Sequence, residues 1–268
     1  MAYDLPRALL GRTGLRITRF GIGGAYCESV AGYRAALDSG VNYVDTARAY
    51  RGGADEEVIG QAIRGRRHEL VLATKTSARD AEGARKDLQS SLRLLGTDHL
   101  DILQLHHLNT ELEREKALGP GGALEAILKA REQGLVRFIG VTGHDWAQLV
   151  SAIDTGLFDT VLCWYNCAMK EPESTVFPAA LAHDMGVIIM NASRNEKLLA
   201  EPEAPSAEKF YRYVLRHQAV HTTIMGLRNL DLFERVAAAL AESIALSDSE
   251  EAELEVYGTR MRAAGKLD

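Results

Sequence analysis

Short apolar runs alternate with longer stretches of helical periodicity along the whole chain. The runs are ITRFGIG (17–23), VNYVDT (41–46), LVLATK (70–75), LDILQLH (100–106), VRFIGVT (136–142), TVLCWY (160–165), GVIIMN (186–191) and VHTTIMG (220–226). Each is short, apolar and rich in β-formers, as a strand requires. Each is followed by a stretch with apolar residues three and four apart, clearest in ARKDLQSSLRLL, GALEAILKAREQG, WAQLVSAIDTG and LFERVAAALAES. Gly134 and Gly156 stand where helix C-caps belong. Eight strand–helix repeats in roughly 250 residues predict an α/β fold, a (β/α)8 TIM barrel. The segment RALLGRTGLRITRFGIGG predicts a small N-terminal β-hairpin leading into the first strand.

A doubly wound sheet also alternates strands and helices, but its nucleotide fingerprint is missing. GIGGAY offers Gly21 and Gly23, and the third glycine position is Tyr26. No GxxxxGK[ST] loop occurs either. No linker divides the chain; LAEPEAPSAE (199–208) reads as a loop before a helix. One domain spanning residues 1–268 is therefore expected.

The charge balance, 31 Lys and Arg against 37 Asp and Glu for a net −6, carries no basic stripe. Nucleic acid and anionic membrane are thus not expected partners. No apolar run approaches the roughly 20 residues of a membrane span, and MAYDLPRALLGRT has no signal-peptide apolar region. Three cysteines, Cys27, Cys163 and Cys167, are an odd, low count that points to a reducing compartment, with the cytoplasm as the default.

In a barrel, function sits at the C-terminal ends of the strands. Asp45 ends the second run with Tyr50 in the loop beyond it, Lys75 ends the third and His106 the fourth. Ionisable groups at three successive strand ends, where apolar residues belong, suggest one shared pocket. A free phenol has a pKa near 10 and exchanges protons poorly at neutral pH. An ammonium beside it favours the phenolate, and a buried lysine needs a counter-ion such as Asp45. A histidine opposite can orient or polarise a carbonyl oxygen, so the set reads as a tuned general acid for carbonyl chemistry.

GVNYVDTARAY, LATKTS, SLRLLGTDHLDILQLHH and VRFIGVTGH resemble the signatures of the aldo-keto reductase family. The resemblance runs from LGRTGLRITRFGIGG through VLRHQAVHTTIMGLRN, nearly the whole chain. Asp45, Tyr50, Lys75 and His106 fall on the family's catalytic tetrad. The resemblance implies a barrel that binds NADP(H) at its C-terminal face and transfers hydride to or from a small carbonyl or alcohol substrate, Tyr50 acting as acid or base. It also implies cofactor contacts at Thr142, Gly143, Asn166, Met190, Asn191, Gly226 and Arg228, and pocket walls at Tyr26, His107 and Trp146.

Several positions depart from the family pattern. Its Ser-Asn pair after the fifth strand reads Thr142-Gly143, its glutamine on the sixth strand Leu162, and the aromatic that stacks on nicotinamide Met190. The adenine-side Gln and Asn of the last helix read Leu232 and Val236. These changes imply a weaker grip on the cofactor. They motivate two alternatives: a redox-neutral lyase, dehydratase or epimerase using the same four residues, and a nucleotide-sensing regulatory protein. HQAVH (217–221) resembles a zincin helix but has Gln218 where the catalytic glutamate belongs, and Cys163 with Cys167 supplies too few ligands for a metal. No metal is expected.

Overall fold

A computed structural model of the protein describes residues 2–267; Met1 and Asp268, the two ends of the expected domain, lie outside the described residues. Eight parallel strands close into a barrel: β3 (Phe20–Gly23), β4 (Tyr43–Asp45), β5 (Val71–Thr76), β6 (Leu100–Leu105), β7 (Val136–Thr142), β8 (Thr160–Trp164), β9 (Gly186–Met190) and β10 (Thr222–Gly226), with β10 paired to β3. Before them come β1 (Arg7–Leu9) and β2 (Arg16–Thr18), an antiparallel hairpin. The apolar run at 17–23 is therefore split. Ile17 and Thr18 belong to the hairpin, and the barrel strand starts at Phe20, after Arg19 turns outward to donate to the Leu215 and Val220 carbonyls.

The outer ring comprises α1 (Val30–Asp38), α2 (Ala54–Ala62), α3 (Ala81–Leu95), α4 (Glu111–Leu118), α5 (Ala123–Glu132), α6 (Trp146–Ile153), α7 (Val176–Ala182), α8 (Ala207–Leu215), α9 (Leu230–Glu242) and α10 (Asp248–Ala263). Their apolar stripes pack on the outward faces of the strands, forming the main core. Gly134 and Gly156, at φ 75° and 71°, end α5 and α6 in the left-handed conformation that glycine adopts without strain. Among the described residues, no helix is long and apolar enough to cross a membrane.

A second, smaller core fills the barrel itself. Leu10, Leu15 and Ile17 from the hairpin pack with Tyr43, Val71, Ala73, Ile102, Leu162 and Ile188 from the strands. The hairpin plugs the N-terminal end closely: a Cβ on Gly186 would fall 2.5 Å from Leu10 Cγ. Arg12 locks it there by donating to the Phe158 carbonyl at 2.7 Å and to Asp159 at 3.2 Å. The opposite end, at the C-termini of the strands, is left to the loops.

Candidate active site

The barrel's parallel register sets the polar strand ends side by side. Gly23 pairs with Asp45, Asp45 with Ala73, and Lys75 with Gln104. Asp45, Lys75 and His106 are all buried at this rim. Tyr50 returns over them from the β4–α2 loop. That loop bends through Arg51 at φ 49°, a left-handed non-glycine residue whose guanidinium donates to Cys27 O at 2.9 Å and Asp55 at 3.3 Å. Asp55 is itself buried and accepts from Thr46 at 2.6 Å and Tyr33 at 2.8 Å, fixing both ends of the Tyr50 loop.

The Lys75 ammonium pairs with Asp45 Oδ1 and donates to Thr46 O at 2.7 Å. Asp45 Oδ2 accepts from Gln104 Nε2 at 2.7 Å. Lys75 Nζ also lies 5.0 Å from the centroid of the Tyr50 ring. The ion pair is thus enclosed, with hydrogen bonds to both partners, as a buried pair requires. The four tetrad residues line one cavity of about 210 Å³ together with Tyr26, His107, Thr142, Met190, Asn191 and Gly226. A smaller cavity beside it shares Tyr26, Asn191 and Gly226 and continues to Arg228.

Burial sets the states of the two rings, and the ion pair sets that of the lysine. Burial raises the Tyr50 phenol above its ordinary value, against the pull of the Lys75 charge. The expected lowering by Lys75 operates but is outweighed, so the free site holds the neutral phenol, the proton-donor form. His106 is pushed down to about 2 by burial and by Lys75, and remains a neutral imidazole. Lys75 is raised by Asp45 and Tyr50, against its own desolvation.

Not every expected residue reaches the cavity. Trp146 opens α6, which Asp145 caps by accepting from Gln148 N; its half-buried ring packs on the outer core. It does not line the cavity that holds the tetrad. Asn166 is buried and donates to Asn191 O at 3.0 Å, so it supports a lining residue from behind. Gly143 also lies outside the lining. A side chain there would start 2.9 Å from Leu108 O and 3.3 Å from Asn109 Oδ1, which accepts from His144 N. Leu162 belongs to the small core inside the barrel, and Leu232 and Val236 are buried on the inner face of α9.

Sequence reasoning missed Gln104, His144, Trp164 and Asn195. Gln104 is a polar residue in the middle of an apolar strand, a usable signal. His144 and Trp164 extend a chain of ring contacts from the Tyr50 phenol. Tyr50 meets His106 at 5.8 Å, His106 meets His107 at 4.0 Å, His107 meets His144 at 4.4 Å, and His144 stacks on Trp164 at 4.1 Å. Asn195 accepts from the Tyr26 hydroxyl at 3.0 Å, and the Arg228 guanidinium lies 3.9 Å over the Tyr26 ring. His217 and His221 each use Nδ1 to accept a backbone N–H, from Ala219 and Val187.

Comparison with known proteins agrees with this architecture. Residues 24–196 match the aldo/keto reductase family. The aldo-keto reductase YhdN of Bacillus subtilis is 31% identical over 191 residues, covering 63% of this chain and 56% of that protein. The L-galactose dehydrogenase of Arabidopsis thaliana is 25% identical over 92% of both chains. Among solved structures, an aldo/keto reductase from Klebsiella pneumoniae, crystallised with NADP and acetate, superposes with TM-score 0.78 at 25% identity, covering 95% of this chain and 96% of that one. The holo form of an aldo-keto reductase from Bacillus halodurans gives TM-score 0.83 at 21% identity, with 95% and 96% coverage. With a matching family over more than half its length and the same closed barrel, this chain belongs to the aldo/keto reductase family of oxidoreductases.

Proposed function

We propose that the protein reduces a small aldehyde or ketone to the alcohol, or runs the reverse, with NADPH and with Tyr50 as the general acid and base. One observation carries this reading: Asp45, Tyr50, Lys75 and His106 converge on a single cavity, with the phenol neutral and the lysine charged. NADP(H), when bound, supplies or takes the hydride. The chain's own residues do the rest. His106 orients the carbonyl oxygen, and the Tyr50 hydroxyl gives it the proton. The Lys75 ammonium, held by Asp45, stabilises the phenolate left behind until solvent restores the proton.

The groups lining the paired cavities suit a dinucleotide lying across the barrel mouth. Gly226 presents bare backbone, since a Cβ would meet the Tyr26 ring at 2.3 Å. Thr142, Met190 and Asn191 line the larger space, and Arg228 offers a guanidinium at the end of the smaller one. A guanidinium can hold the 2′-phosphate that distinguishes NADPH from NADH. The three free cysteines are consistent with a cytoplasmic enzyme.

The test is to titrate purified protein with NADPH, following nicotinamide fluorescence, and then to follow NADPH oxidation with a panel of small aldehydes and ketones. Binding with Tyr50-dependent turnover supports the reading. A Tyr50-dependent reaction with no NADPH binding at millimolar concentration transfers the assignment to redox-neutral proton chemistry.

A further inference from the structure

His106 is neutral, so it carries one N–H, and the ring nitrogen bearing it decides what the residue can do. A carbonyl oxygen that gains negative charge during reduction needs a donor facing it. The other tautomer would present a lone pair to that oxygen instead. Two neighbours outside the tetrad bear on the choice. Ser77, just past β5 and solvent-exposed, places Oγ 3.3 Å from His106 Nδ1, its one side-chain hydrogen bond to another described residue. His106 Nε2 has no protein partner among the described residues, and the ring lines the cavity. A hydroxyl that donates to Nδ1 leaves the proton on Nε2.

Arg79 fixes the backbone around this contact. One terminal nitrogen donates to Ser77 O at 3.0 Å, and the other donates to His106 O at 2.9 Å and His107 O at 2.8 Å. A single planar guanidinium thereby ties the loop bearing Ser77 to the strand end bearing His106. It also holds His107 in the left-handed region at φ 57°, where a non-glycine residue is strained, while the His107 N–H donates to Thr142 Oγ1 at 3.2 Å. Arg79 is mostly buried and has Glu113 as its counter-ion at 3.4 Å.

We propose that Ser77 and Arg79 are positioning residues that hold His106 as the Nε2–H tautomer facing the cavity, Ser77 by donating to Nδ1 and Arg79 by clamping the two segments together. Only the activity arm of the test rests on the carbonyl-reductase reading. The other arm reads the tautomer directly, by ¹⁵N–¹H correlation spectra of histidine-labelled protein, with His106→Asn identifying the signal. Wild type is expected to show a protonated Nε2 and an unprotonated Nδ1 at His106. Ser77→Ala should give a tautomer mixture and lower kcat by about tenfold or more, as loss of an oxyanion donor does, with NADPH affinity unchanged. Ser77→Thr, which keeps the hydroxyl, should restore both. Arg79→Lys cannot span three carbonyls and should broaden the same signal, with circular dichroism confirming the fold. A wild-type His106 protonated at Nδ1, or a Ser77→Ala protein with unchanged tautomer and kcat, overturns the proposal. Absence of reductase activity with the Nε2–H signal intact in wild type and lost in Ser77→Ala overturns the reaction assignment and supports the positioning role.

Discussion

The Lys75 ammonium lies 5.0 Å from the Tyr50 ring centroid while paired to Asp45 beneath it. One cation thus serves two acids, the Asp45 carboxyl, which burial raises above its ordinary value, and a phenol that is anionic only when it has given up its proton. As the proposed general acid, Tyr50 is expected to be dispensable for binding and central to turnover. Tyr50→Phe is expected to lower kcat by at least about a hundredfold, the ordinary cost of losing a general acid, with little change in NADPH affinity. Steady-state kinetics on a reducible aldehyde, beside a fluorescence titration, checks both halves.

Replacing Lys75 by Met removes the tuning charge and strands Asp45 in a buried site. Asp45 keeps the Gln104 hydrogen bond but loses its counter-ion. Activity should disappear, and stability should fall by about 3 kcal/mol or more, since breaking a buried pair from one side leaves an uncompensated charge. Urea denaturation of the two proteins measures the difference.

The pH dependence follows from the two buried rings. Tyr50 donates only while protonated, and its pKa is raised above the ordinary phenol value. Reduction should therefore run at full rate through neutral and mildly alkaline pH and fall only as the pH rises through that raised pKa. His106, at about 2, contributes no limb between pH 5 and 8. A kcat profile for reduction with an alkaline limb near neutrality would contradict this assignment.

Arg228→Ala should remove most of the preference for NADPH over NADH, because the proposed bidentate contact to the 2′-phosphate is one that NADH does not offer. Dissociation constants for both cofactors, measured on both proteins, decide it. The same substitution uncovers the Tyr26 ring, so the Tyr26→Phe protein is the control for changes in the groove itself.

Restoring the asparagine that the family has at position 143 should not improve the enzyme. The new side chain would press on the Leu108 carbonyl and displace Asn109, which caps the His144 N–H at 2.6 Å. Gly143→Asn is expected to cost about 1–3 kcal/mol, as overpacking does, with no gain in cofactor affinity. Thermal unfolding and an NADPH titration test the two parts.

The barrel was legible because its strands are short apolar runs and its helices keep strict spacing; the tetrad was legible because charge at a strand end contradicts that pattern. What escaped was governed by direction. Trp146 and Trp164 both stand near strand ends, yet Asp145 starts a helix that carries Trp146 onto the outer core, while Trp164, still on β8, faces the cavity. Leu162, Leu232 and Val236, where the family has polar cofactor contacts, are packing residues whose surroundings are apolar. Arg19 ends the hairpin inside what reads as one continuous strand, because its side chain serves distant carbonyls that no local pattern announces.

The hairpin seated in the lower end of the barrel has a consequence for access. With Leu10, Leu15 and Ile17 packed among the strands, the lower end is stoppered and the cavity holding Asp45, Tyr50, Lys75 and His106 opens on the loop side. On the proposed function, cofactor and substrate share that one doorway. Hairpin and strand side chains together close that end, so a barrel that reads as a tube is a cup.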